Sequence, residues 1–128
     1  MVAGARIRFT LVASLFVLLV FAATAFADKG SVAISAPESV VKGTEVTIKI
    51  QVTHSGNNFI HYVDWAKIGI DGKEVARWDF KWNKRAESKV FEREFKYLVN
   101  APVELSAEAH CNLHGSKGLA KASIKVTE

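Results

Sequence analysis

A two-residue alternation returns along most of this chain and leaves few folds open to it. In Thr44–Thr53, TEVTIKIQVT, the apolar residues Val46, Ile48, Ile50 and Val52 alternate with Glu45, Thr47, Lys49 and Gln51. Successive side chains of an extended strand point to opposite faces, so this pattern makes a strand with one buried and one solvated side. The same period recurs over 32–35, 62–70, 73–80, 89–98, 103–111 and 119–127. Asp71-Gly72 between two of these runs is a tight hairpin signal, because both central positions of that turn take positive φ. No segment carries a convincing helical period. About seven short strands with turn signals between them imply an all-β, immunoglobulin-like antiparallel β-sandwich.

The first 27 residues fall outside that pattern and read as an N-terminal signal peptide. Arg6 and Arg8 give a positive start, Leu11 to Phe21 an apolar centre, and Ala25-Phe26-Ala27 a small-x-small cleavage site. An uncleaved membrane anchor is the rival reading, but Thr10, Ser14 and Thr24 interrupt the apolar run. The expected organisation is a signal over 1–27 and one domain over 28–128, periplasmic or secreted, with no membrane partner after cleavage. The chain has 17 Lys and Arg and 13 Asp and Glu, and the signal holds two of the bases and none of the acids. The remaining 15 bases against 13 acids leave +2, too little to argue for nucleic acid as a partner. The one strongly basic stretch, KWNKRAES at 81–88, reads as a solvated connection between strands.

Cys111 is the only cysteine, so no disulfide forms within the chain. An odd thiol in an oxidising compartment is buried and inert, paired with another chain, reactive, or held by a metal. Strand parity over Val103–Cys111 turns Cys111 inward with Val103, Leu105, Ala107 and Ala109, and turns His110 outward. His114 follows Cys111 by three residues, and Gly115 and Gly118 let the loop turn back. His54 closes one strand and His61 opens the next across SGNNFI. Histidines and a cysteine at neighbouring strand ends, in two pairs with chelating spacing, point to one metal site held by His54, His61, Cys111 and His114.

These residues also carry a family resemblance. CNLHG at 111–115, with HYVDW at 61–65 and a histidine shortly before it, is similar to the iron-binding domain of the desulfoferrodoxin and neelaredoxin family, the superoxide reductases. The resemblance covers roughly residues 40–126. It implies an immunoglobulin-like sandwich with one mononuclear non-haem iron, held by equatorial histidines and an axial cysteine thiolate. Carried over, Cys111 is the axial ligand, His54, His61 and His114 are equatorial, and Trp65 is a core aromatic. The implied activity is an oxidoreductase reaction, reduction of superoxide to hydrogen peroxide with an external electron donor. Lys117, Lys121 and the 81–88 loop supply the only positive field toward a small anion.

The sequence departs from the family in one respect that bears on the metal. No Glu-Lys-His-x-Pro segment precedes His54, so one histidine ligand and a lysine are missing, and His110 faces the wrong way to replace the ligand. A closed tetrahedral zinc site fits the four remaining donors. A copper electron carrier is a third reading, although the axial methionine usual there has no counterpart. A sandwich without metal, acting through its surface, is a fourth.

Overall fold

The computed structural model describes residues 29–128, and no helix occurs among them. The signal reading for 1–27 therefore lies outside the described residues. Nine strands run in the order β1 Ser31–Ser35, β2 Ser39–Val41, β3 Thr44–Thr53, β4 Val63–Ile70, β5 Lys73–Asp79, β6 Val90–Val99, β7 Val103–Cys111, β8 Gly115–Ser116 and β9 Ala120–Thr127. One sheet has the order β1-β3-β6, and the other has β2-β9-β7-β4-β5 with β8 added to β7.

The seven runs expected from alternation are all strands. The two additional ones, β2 and β8, are three and two residues long, too short to show a period. β2 also pairs parallel with β9, so the sandwich is not wholly antiparallel.

The inward residues of the two sheets form one core. Ile48, Ile50 and Val52 of β3 meet Ile68 of β4, Leu105 and Ala107 of β7 and Ile124 of β9, all essentially without solvent contact. Each fully buried aliphatic side chain of this size contributes about 1.5–3 kcal/mol. The β4–β5 hairpin turns at Asp71 (φ 49°) and Gly72 (φ 83°), the two positive values that its turn type requires.

Register sets which chain ends share a face of the molecule. His54 leaves β3 where Val63 enters β4, where β7 ends at Cys111 and where β1 begins opposite Thr53. All the chelating residues singled out in the sequence therefore sit at one end of the sandwich.

One expectation about this end is overturned. Trp65 is not a core residue: it is half-buried on the outer face, stacked on His110 at 5.0 Å and 9°. The cause is a register shift between Val63 and Trp65, where Val63 pairs with Cys111 but Trp65 pairs with His110. An extra residue inserted in one strand reverses the facing of the residues beyond it.

Candidate metal centre

His54 is the only buried polar or charged residue of the described core, 4% exposed. Its backbone N–H donates to Lys89 O at 2.8 Å, which fixes the strand end. Its Nδ1 lies 2.6 Å from Gly56 O. A carbonyl only accepts, so the proton is on Nδ1 and the lone pair is on Nε2. That Nε2 is buried and has no hydrogen-bond partner among the described residues. A buried polar atom left unsatisfied costs about 1–3 kcal/mol, and a ligand for it removes that cost. A ring held through one nitrogen by a backbone carbonyl, with the other nitrogen aimed inward, is the usual support for a metal-binding histidine.

His61 stands beside it, with ring centroids 4.6 Å apart and planes at 73°. It is placed by Asn58, whose Oδ1 accepts from the backbone N–H of Ile60 (2.9 Å) and of His61 (2.8 Å). Asn side chains commonly close turns in this way. The His61 ring lies directly over Gly56: a Cβ there would come within 2.3 Å of His61 Nδ1.

Cys111 is fully buried, as strand parity requires, and His114 is exposed on the loop beyond it. Positive φ at Gly115 (80°) and Gly118 (104°) turns that loop back. One ligand atom from each of His54, His61 and Cys111 lies within 4.8 Å of the others. His114 is not within that mutual group, but its Nδ1 lies 3.3 Å from His61 Nε2 and 3.7 Å from Cys111 Sγ.

These separations can be compared with what a shared ion demands. Bonds of about 2.1 Å to nitrogen and about 2.3 Å to sulfur, opened between about 90° and 109°, put two nitrogens about 3.0–3.4 Å apart and sulfur about 3.1–3.6 Å from nitrogen. The His61–His114 distance falls inside that range and the Cys111–His114 distance just beyond it. The donor types, one thiol and two imidazoles with an orphaned Nε2 among them and a third imidazole beside two of the three, fit a transition metal.

His110, the remaining histidine, lies outside the cluster. It is on the outer face, its Nδ1 2.6 Å from Asp64 Oδ1 and its ring against Trp65. The register shift that turns Trp65 outward also sets Asp64 beside it.

Asn112 was not singled out from the sequence. Its Oδ1 accepts from Tyr62 N–H (2.9 Å), its Nδ2 donates to Ile60 O (2.8 Å) and its own N–H donates to Tyr62 O (3.0 Å). Those three bonds tie the Cys111–His114 loop to the His54–His61 loop. Asn57 adds a fourth clamp through Ala86 O at 2.9 Å. The available signal was the run of turn-forming polar residues, Gly56-Asn57-Asn58 and Asn112, beside the ligating types.

An all-β sandwich that gathers three histidines and a cysteine at the loops of one end defines a class of small metal-binding proteins. The desulfoferrodoxin family model matches residues 22–117, and the chain belongs to that family. Among solved structures it is similar to a superoxide reductase (neelaredoxin) from Ignicoccus hospitalis, at 23% identity and TM-score 0.64, with 77% of this chain and 82% of that one covered. A putative superoxide reductase from Thermotoga maritima matches at 25% identity and TM-score 0.58, with 76% and 86% covered. The sulfur carrier protein SoxY from Chlorobium limicola f thiosulfatophilum shares the fold at 18% identity and TM-score 0.55, over 76% of this chain and 79% of that one. No functionally curated protein matches the chain.

Proposed function

We propose that the protein is an exported, periplasmic non-haem iron protein that reduces superoxide to hydrogen peroxide at a site held by His54, His61, Cys111 and His114. The observation that carries the reading is the orphaned, buried Nε2 of His54 in a cluster with the Cys111 thiol and the His61 imidazole, both of which His114 also reaches. Family membership and the likeness to superoxide reductases support the choice of metal and substrate.

The overall change consumes one electron and two protons per superoxide. Iron, when bound, supplies the one-electron couple and a thiolate-tuned site for a small anion. The chain's own residues do the rest. Gly56 O keeps the His54 proton on Nδ1, so that Nε2 offers its lone pair. Asn58 and Asn112 hold the other donors at fixed separation. The sandwich buries Cys111 and leaves His114 exposed, so a small anion and protons reach the site from the His114 side. Electrons come from an external donor in the same compartment.

A second reading is favoured by one observation. With His110 turned to the outer face, the donor set is Cys and three His, the number that closes a structural zinc site. Copper would take the same donors without the axial methionine.

Metal content of the protein purified without oxygen separates these readings. Near-stoichiometric iron, with a thiolate-to-ferric absorption band on oxidation that vanishes in Cys111→Ser, is the expected result. Its direct complement is superoxide consumption with peroxide formed at one per superoxide. Colourless protein holding zinc would sink the iron reading, and blue protein holding copper would do the same.

A further inference from the structure

The 81–88 loop reads in the sequence as an ordinary solvated connection, but the fold gives it company. Phe80 N–H donates to Asp64 O, Asn57 donates to Ala86 O, and His54 N–H donates to Lys89 O, so this loop lies at the same end as the metal centre. Three loops of that end each raise large apolar side chains into solvent: Phe59 and Ile60, Trp82, and Leu113 are all more than half exposed. Asn112 bonds to Ile60 O and Tyr62, which makes the first and third of these loops neighbours.

Charge divides along the same axis. The connections at the metal end contain Lys29, Lys81, Lys84, Arg85, Lys89 and Lys117 against one acid, Glu87, which is already bonded to Arg93. Those at the opposite end contain Glu38, Asp71 and Glu128 against Lys42. The connections of the two ends therefore differ in sign of charge, although Asp64, Asp79 and Glu92 stand on strand ends beside the basic loop.

The chain also meets its N-terminal segment at the metal end. Gly30 lies flat on β7, where a Cβ would come within 2.6 Å of Ala109 O, and it bonds to Gly115 and Lys117. Lys29 thus emerges beside the His114 loop, and the sequence before it carries the long apolar run Leu11 to Phe21. Whatever precedes Lys29 joins the domain through this end.

We propose that the metal-bearing end is a docking face for an anionic lipid bilayer, with Trp82, Phe59, Ile60 and Leu113 entering the interface and the Lys81–Lys89 loop engaging lipid headgroups. Tryptophan beside lysine and arginine is the composition of a membrane–water interface, and basic residues are drawn to anionic leaflets. A small anion such as superoxide would use the positive field but has no use for four apolar tips. Apolar and basic residues from three separate loops come to one end only in the fold, so the linear sequence, which suggests no membrane partner after cleavage, does not display the face. Docked by its loop tips, this end stands at the hydrated headgroup layer, through which small anions and protons still reach the His114 side, and membrane-bound one-electron carriers would be its nearest donors. The docking face is the same whichever metal the centre carries.

The test uses the full gene product recovered after export, with intact mass fixing its first residue. Vesicles of phosphatidylcholine with about 30% phosphatidylglycerol are compared with phosphatidylcholine alone. A chain beginning at Asp28 is expected to sediment with the anionic vesicles only. The pair Lys84→Glu and Arg85→Glu should weaken that by roughly tenfold or more. The pair Phe59→Ser and Trp82→Ser should weaken it similarly, and Leu98→Ser at the opposite end should not. If the apolar segment is retained, attachment is read instead from quenching by brominated lipid, which should disappear in Trp82→Phe. Failure to bind anionic vesicles, binding indifferent to both pairs, or quenching that survives Trp82→Phe would each overturn the proposal.

Discussion

Gly56→Ala is the sharpest perturbation of the centre, because it adds one methyl group and removes no ligand. A Cβ at this position would lie 2.3 Å from His61 Nδ1, 2.8 Å from Cγ and 3.0 Å from Cε1. Ordinary carbon–nitrogen contact is about 3.4 Å, so the ring must withdraw by about 1 Å. Metal–ligand distances tolerate about 0.2 Å, which means His61 no longer shares an ion with His54 and Cys111. Gly56 is not among the residues with positive φ, so alanine strains no backbone there. The loss is therefore confined to the centre: metal affinity falls by about 10–100-fold or more, the scale of losing a ligand's support. Competition titration with a chromophoric chelator measures it, and thermal unfolding of the metal-free protein shows a change of under about 1 kcal/mol. Undiminished affinity in Gly56→Ala would refute the placement of His61 as a ligand.

Asn112→Ala severs two side-chain bonds between the loops and is expected to cost about 1–2 kcal/mol of stability by denaturant titration, with metal affinity falling alongside. His110→Ala loses a partly exposed pair with Asp64 and should cost no more than about 1 kcal/mol, leaving the metal content per chain unchanged, whereas His114→Ala lowers it. Glu87 is held below the usual carboxylate range by its hydrogen bonds with Arg93 and then by a backbone bond, so its contribution is present above its unfolded pKa and is lost as pH falls through the lowered one. Glu87→Gln is thus destabilising at about pH 7, by under about 1 kcal/mol for so exposed a pair, and neutral at about pH 2 in urea titrations.

Much of this was legible in the sequence for a physical reason. A strand with one face in water must alternate, so β3 and β7 announce themselves, and the inward facing of Cys111 against the outward facing of His110 comes from counting by twos. The four candidate donors stood out because cysteine and histidine are rare in this chain and fell at strand ends. β2 and β8 were not legible, since three and two residues show no period. Trp65, a core aromatic by the family resemblance, faces outward because of a register shift that depends on how β4 pairs with β7, a strand distant in sequence.

The support of the centre was hidden for a different reason: it rests on backbone atoms and short amides, of which Asn57 and Asn112 bond partners distant in sequence. Gly56 acts through its carbonyl oxygen and through the side chain it lacks, and Asn112 through bonds to Ile60 and Tyr62. The donors sit on loops, which in isolation are the least constrained part of a sandwich. Asparagine clamps at 57, 58 and 112 remove that freedom before any ion arrives. Binding then orders little that is not already ordered, so less of the metal's affinity is consumed in folding the site. The consequence is that substitutions at the clamps should weaken metal binding in proportion to the loop freedom they restore, while leaving the sandwich core, which lies wholly beneath the site, folded without metal.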